Sequence, residues 1–258
     1  MDIKALYDLS GKTAIVTGGG NGIGRGCCEM LASAGAFVVV GDMDEGAAEA
    51  AAGEIRAKGG KAMGVRCNNL VDSELENLVD AAVKATGTVN ILVNNAGAGG
   101  GGRENPFRID AEYFERIFRL NLLSAWKLCR LVVPHMQKSG YGSIINITSM
   151  GSINKSPNME VYASSKAALN HMSANLAYDF GPMNVRINCV GPGATRTSAL
   201  QKVLTPEIED RMLAHTPIHR LGTVEDIAGA VLYFAAPVSS WVSGQVLFVN
   251  GGGVQTLD

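Results

Sequence analysis

Positive charge is not in surplus. The chain carries 22 Lys and Arg against 24 Asp and Glu, a formal net charge of −2. No dense basic stripe offsets that balance, so no nucleic-acid partner is expected. No apolar run reaches the roughly 20 residues that a membrane-spanning helix needs, and no membrane partner is expected either. The opening stretch, MDIKALYDLSGK, is charged and lacks the apolar core of a secretory signal. Cysteine is sparse. Cys27, Cys28, Cys67, Cys129 and Cys189 are odd in number and have no metal-like spacing. They read as small buried hydrophobes, reduced in a cytoplasmic protein. His135, His215 and His219 have no arrangement with nearby acids that would bind a metal, and none is expected. Proline is scarce, at 8 residues against 32 glycines. The glycines cluster in a few short runs, which means tight turns or close approach of backbone to a ligand rather than disorder.

What the chain has in quantity is alternation. Short apolar runs at 13–17, 37–41, 62–66, 91–94, 143–148, 185–190 and 245–249 alternate with amphipathic stretches at 23–34, 45–58, 73–85, 111–137 and 161–180. Runs apolar almost throughout fit strands buried on both faces. Strand–helix alternation with short joints predicts an α/β fold: one doubly wound, parallel seven-stranded sheet with helices on both faces. No linker or repeat interrupts it, so residues 1–258 are expected to form a single domain. An irregular insert at about 195–220 stands apart. Thr205-Pro206 inside it reads as a helix start with Pro in the first position.

The first strand runs into Thr17-Gly-Gly-Gly-Asn-Gly-Ile-Gly24 and then a helix. A strand, a glycine-rich turn and a helix N-terminus make a Rossmann-type pyrophosphate site, because free N–H groups and the positive end of the helix face the anion. Gly18, Asn21, Gly22, Ile23 and Gly24 are its candidate residues. Asp42 follows the second strand, about 20 residues beyond that turn, where an acid holds the ribose hydroxyls and repels the extra phosphate of NADP. Its neighbour Met43 offers no cationic alternative, so the cofactor is read as NAD. Asp42 could equally be a plain N-cap for the helix opening near Glu45.

Tyr162 and Lys166 are four apart in a helical pattern and share a face. A phenol titrates near 10, and an ammonium one turn away stabilises the phenolate. Such a pair can act as general base in alcohol oxidation and general acid in ketone reduction. Ser149 at the end of a strand and Asn121 in the preceding helix add weight. Together with Asn94-Asn95-Ala96-Gly97 and Pro192-Gly193, these motifs resemble, over essentially the whole chain, the short-chain dehydrogenases/reductases.

That resemblance implies a Ser149–Tyr162–Lys166 core with Asn121 as fourth catalytic member. Ser149 would bond the substrate oxygen, Tyr162 would carry the proton, and Lys166 would also bind the nicotinamide ribose. Asn121 would hold a water in a proton relay. Asn95 and Gly97 would contact the cofactor ribose region, and Thr195, Arg196 and Thr197 the carboxamide and phosphates. Asn68 and Asn69 would lie at the adenine, with Asn68 standing where the family usually has Asp. Tetramers built on the two long helices and the last strand are also implied.

Within that family the chain is similar to the bacterial 7α-hydroxysteroid dehydrogenases. The segments that carry this are Ile147-Thr-Ser-Met150, Asn154, Thr205-Pro-Glu-Ile-Glu209, His215-Thr-Pro-Ile218, Ser240-Trp-Val-Ser-Gly-Gln245 and the tail at 251–255. The likeness implies a bile acid or related steroid as substrate, with Asn154 beside its hydroxyl and the insert as an apolar lid. A sugar, polyol or 3-oxoacyl substrate is the alternative within the family. A dinucleotide-binding regulator without turnover is the alternative outside it. The glycine run at 97–102, with Gly99 at its centre, is either a hinge or the wall of a roomy substrate pocket. Arg196 is either a solvated loop charge or a partner for a substrate carboxylate.

Overall fold

Strands with no polar alternation need cover on both sides, and the sheet supplies it. The computed structural model describes residues 2–155 and 157–253. Its strands are β1 (Thr13–Thr17), β2 (Phe37–Asp42), β3 (Lys61–Arg66), β4 (Ile91–Asn94), β5 (Gly142–Ile147), β6 (Val185–Pro192) and β7 (Val246–Val249), all parallel, in the order β3-β2-β1-β4-β5-β6-β7. The helices are α1 (Ile3–Tyr7), α2 (Gly22–Ser33), α3 (Glu45–Ala57), α4 (Asp72–Thr86), α5 (Ala111–Phe118), α6 (Ser124–Ser139), α7 (Glu160–Phe180), α8 (Ser198–Gln201), α9 (Pro206–Leu213) and α10 (Val224–Ala235).

Strand alternation sorts the core into two layers. Ala14, Val16, Val38 and Val40 pack with Cys27, Leu31, Ile55, Val231 and Phe234 beneath α2, α3 and α10. Their neighbours Ile15 and Val39 join Leu78, Leu128, Val132 and Met136 beneath α4 and α6. The central strands β1, β4 and β5 are buried throughout, while the edge strands β3 and β7 are partly open. All five cysteines are buried and unpaired. Among the described residues no helix is long and apolar enough to cross a membrane, and no cluster of potential ligands could hold a metal.

Strand order reverses between β1 and β4. Both neighbours of that switch end at the same edge, and in such sheets ligands bind in the crevice outside the strand ends. Everything after β1, β4, β5 and β6 therefore converges on one rim.

Two expectations need correction. The stretch 111–137 is not one helix: α5 and α6 are joined by a π-helical turn, Arg119–Leu123, that contains Asn121. The side chain of Asn121 bonds a neighbouring loop, and the extra residue in the turn lets it reach inward. Strand β5 ends at Ile147, so Ser149 lies beyond it and caps a short 3-10 turn, Met150–Ser152, with its hydroxyl accepting from the Gly151 amide at 3.0 Å. The insert does contain the expected helix start: Thr205 caps α9 and Pro206 opens it. The end of the tail resemblance, Val254 and Gln255, lies outside the described residues.

Candidate active site

The turn after β1 is held open by its own glycines. Gly18 and Gly22 take positive φ, 61° and 54°, which side chains rarely adopt. A Cβ on Gly24 would collide with the Gly18 carbonyl oxygen and the Asn95 amide. Asn95 binds this turn together: its Nδ2 donates to Thr17 O at 2.9 Å and Gly18 O at 3.0 Å. The Asn95 and Ala96 amides both donate to Thr17 Oγ1 at 3.1 Å. Asn95 thus braces the cradle with the nitrogen of its side chain, and that nitrogen is not free for a ribose. Asn21, the N-cap of α2, makes no capping bond with its side chain. The first amides of α2 are left facing the rim, a donor set that fits a pyrophosphate.

Asp42 closes β2 beside this turn. Its Oδ2 accepts from the Gly20 amide and its Oδ1 from the Asp44 amide, each at 3.0 Å. Asp44, not Asp42, caps α3, accepting from the Ala47 amide at 3.0 Å. The N-cap reading of Asp42 is therefore wrong, and its carboxylate stands at the rim where ribose hydroxyls would meet it. Met43 is 69% exposed next to it. Asn68 accepts from the Leu70 amide at 3.0 Å. Asn69 turns inward, its buried Nδ2 3.5 Å from Ser124 Oγ.

The segment after β6 crosses over the glycine turn. Thr195 is buried and bridges to Gly222, and the Thr197 methyl lies 3.6 Å from where a Gly22 Cβ would stand. Arg196, between them, reaches the other way and pairs with Glu209 on α9 at 2.6 Å. That pair ties the insert to itself and leaves the Arg196 side chain partly solvated. The far end of the insert docks on the tail, with Ile218 N donating to Gly251 O at 2.9 Å and a Gly253 Cβ site 3.1 Å from His215 O.

Helix α7 carries Tyr162 and Lys166 one turn apart at this rim. Lys166 is 4% exposed and its Nζ donates to Ile147 O at 2.8 Å. Burial pulls its ammonium down to about 8. The Tyr162 ring centre is 5.9 Å from that nitrogen. Burial pushes the Tyr162 phenol up; the Ser149 hydroxyl beside it draws it down, and the Glu104 charge raises it further. Asn121 Oδ1 accepts from Ala98 N, while Nδ2 donates to Ala98 O and Ser165 Oγ, all at 2.9 Å. Both side-chain protons are in use.

Gly97 lies where these groups meet. A Cβ there would be 3.0 Å from Asn121 Oδ1 and 3.2 Å from Lys166 Nζ. A Cβ on Gly99 or Gly100 would press on Tyr162, at 3.3 and 3.1 Å, whereas Gly101 and Gly102 meet nothing within 4 Å. The first half of the run is thus a wall around the tyrosine, and only the second half is open. Asn154 follows the Met150–Ser152 turn, half-buried, its amide donating to Met150 O at 3.1 Å. Glu104, which no motif or periodicity marks, is fully buried behind Tyr162. It has no sequence signal because most of its partners, Tyr113, Val161 and Tyr162, lie in other elements.

A family model described as enoyl-(acyl carrier protein) reductase matches residues 18–253. The chain is 50% identical over 250 residues to the 7α-hydroxysteroid dehydrogenase of Escherichia coli strain K12, covering 97% of each chain. It is 37% identical over 245 residues to the 7α-hydroxysteroid dehydrogenase of Clostridium sardiniense, covering 95% of this chain and 94% of that one. A solved structure of 7α-hydroxysteroid dehydrogenase in complex with NADH and 7-oxo glycochenodeoxycholic acid superposes with a TM-score of 0.94, at 48% identity over the full length of both chains.

The buried ammonium has a measurable consequence. Lys166 titrates near 8 when folded against an ordinary 10.5. Between those values the unfolded chain holds the extra proton, so stability rises with pH across that window and is diminished below it. At pH 7 the deficit is roughly 3 kcal/mol. Lys166→Met is expected to raise the urea midpoint at pH 7 while abolishing turnover, with the gain fading toward pH 10.5. A destabilised variant at pH 7 contradicts this.

Proposed function

The chain belongs to the short-chain dehydrogenase/reductase family, and from that premise we propose that it moves a hydride between NAD and the 7α-hydroxyl of a bile acid or related steroid. It is an oxidoreductase. The observation that carries the reading is the convergence of Ser149, Tyr162, Lys166 and Asn121 on one rim, beside a glycine cradle and Asp42.

In this reading the amides at the start of α2 hold the pyrophosphate, with Gly18, Asn21, Gly22, Ile23 and Gly24 around it. Asp42 takes the adenine-ribose hydroxyls and repels a 2′-phosphate, with Met43 and Asn68 alongside. Asn95 and Gly97 shape the floor, and Thr195 and Thr197 close over it. Bound NAD supplies the hydride acceptor, and its reduced form the donor. Ser149 Oγ hydrogen-bonds the substrate oxygen. Tyr162 takes the hydroxyl proton as hydride leaves the same carbon. Its phenol is raised by burial, so it needs the positive field of Lys166 to ionise, and the shorter the path from that ammonium the better it works. Lys166 also donates to the nicotinamide ribose. Asn121 holds Ala98 and thereby Gly97, keeping that floor clear of the ammonium.

The substrate assignment draws on the relatives and on the insert. Leu204, Ile208, Met212 and Leu213 are half-buried along α9 and its approach, an apolar cover suited to a rigid, mostly apolar ligand. Gly99 walls Tyr162 without a side chain to displace it, the open Gly101 and Gly102 leave room beyond, and Asn154 gives one polar anchor near Ser149. Residues 195–220 act as the lid of a single domain spanning 1–258.

A cytoplasmic homotetramer is part of the same proposal. Phe114 and Phe118 stack at 4.7 Å on α5 with Phe114 and Leu123 exposed, the edge strand β7 shows Leu247 to solvent, and Trp241 in the segment before it is 99% exposed. Such patches are normally covered. Light scattering at micromolar concentration is expected to give four chains; a monomer contradicts it.

Two kinetic experiments test the chemistry. With NAD, NADH production is expected from 7α-hydroxy bile acids and not from 7β-hydroxy or 7-deoxy ones, and Tyr162→Phe should cut it about 10²–10⁴-fold. Equal rates on both epimers, or activity only on a sugar or acyl substrate, end the steroid assignment. NADP is expected to give a much lower kcat/KM, and Asp42→Ala to narrow the gap. Equal kcat/KM for the two cofactors in the unaltered protein sinks the role of Asp42.

A further inference from the structure

Glu104 sits just past the glycine run, and its residue is 0% exposed. Its carboxylate accepts four hydrogen bonds. Oε1 takes the Gly100 amide at 2.9 Å and the Tyr113 hydroxyl at 3.0 Å. Oε2 takes the Val161 amide at 2.8 Å and the Tyr162 amide at 3.0 Å. Its own amide donates to Asn158 O at 2.9 Å. No Lys or Arg pairs with it among the described residues.

The Val161 and Tyr162 amides belong to the first turn of α7, where the adjoining N-cap, Met159, makes no side-chain bond. Glu104 is therefore the cap of α7, delivered from 57 residues away. A carboxylate suits the positive end of a helix, and charge-assisted bonds to amides are stronger than neutral ones. Three of its four partners are amides that can only donate, so both oxygens must accept. One group thus ties together the loop that walls the Tyr162 ring, helix α5 through Tyr113, and the turn that carries Tyr162 itself.

We propose that Glu104 is a positioning residue for catalysis: by clamping the first turn of α7 and the Gly100 loop on one buried carboxylate, it fixes where the Tyr162 phenol stands. This rests on the reading of Tyr162 as proton carrier. Its negative charge also acts on that phenol. The ionisable or polar groups facing Tyr162 are Glu104 from the glycine loop, Ser149 from the turn after β5, and Lys166 from α7. Of these, Glu104 opposes ionisation and Ser149 favours it. The clamp therefore holds the tyrosine in place while making its phenolate harder to form.

Glu104→Gln keeps the shape but turns one acceptor into a donor facing amide N–H groups. For alcohol oxidation the rate rises with pH as the phenol ionises. Loss of the nearby negative charge should move that rising limb of kcat to lower pH, while kcat at the plateau falls about 10-fold or more. Affinity for NAD, followed by fluorescence titration, should stay within about twofold, because Glu104 touches none of the cradle. Glu104→Asp keeps the charge but cannot reach both sets of partners; it should lower kcat with the limb unmoved, and it serves if the Gln variant does not fold. A Glu104→Gln enzyme with unaltered kcat and limb, one slowed with its limb in place, or a Glu104→Asp enzyme at full kcat overturns the proposal. Tyr162→Phe in the same assay separates the two ideas: if it remains active, the reading of Tyr162 fails; if it is inactive while Glu104→Gln behaves as the unaltered protein, the clamp alone fails.

Discussion

Lys166 is a cation buried with a single carbonyl for company. Its ammonium donates to Ile147 O and has no carboxylate within salt-bridge range among the described residues. A lone buried charge is unfavourable, and the chain tolerates it only by letting the group titrate low. The surroundings are arranged to leave it space. Gly97 has no side chain to wedge against it, and Asn121 holds the Gly97 loop by bonding both backbone groups of Ala98. Reaching that loop requires the π turn between α5 and α6. A π turn between two helices, a glycine and an asparagine thus gather around one ammonium at the end of β5. In the proposed function that ammonium is what makes a buried tyrosine usable as a base. Stability is given up where chemistry needs a strained electrostatic balance.

The cofactor side follows a different constraint, the close packing of backbone on backbone. Gly24 and Asn95 meet across the switch between β1 and β4, so neither can change without opening the cradle. Asp42 is fixed to the same turn through Gly20. In the proposed function, the acid that would select the cofactor and the amides that would bind its phosphates are thus tied to one turn. The insert after β6 completes the rim: Thr197 lies over Gly22, and the Arg196–Glu209 pair holds the strand end to α9. That pair is half exposed and adds little stability; in the proposed function it would couple the cover of the cofactor side to the lid.

Strands were the most legible part of the sequence. Buried parallel strands need continuous apolar runs, and 13–17 and 91–94 coincide with β1 and β4. Boundaries slipped by a residue or two where strands reach the sheet edge or run on into a turn, as in β3, β6 and β7. The one-turn relation of Tyr162 and Lys166 follows from helix period alone. What period cannot show is where a side chain goes when it leaves its own element. Asn121 breaks a helix to bond a loop, Asn69 turns inward to Ser124, and Arg196 finds Glu209 thirteen residues on. Glu104 is the extreme case. Its partners come from the glycine run, α5 and α7, so nothing local distinguishes it from a solvated charge.

The central claim is that Lys166 is a buried ammonium of depressed basicity on which the tyrosine depends. Lysine side chains labelled with 13C and followed by NMR across the pH range test it directly in the ligand-free protein. One resonance, absent from the Lys166→Met spectrum, is expected to titrate near 8. A Lys166 resonance that titrates with the exposed lysines, at about 10.4, contradicts the account.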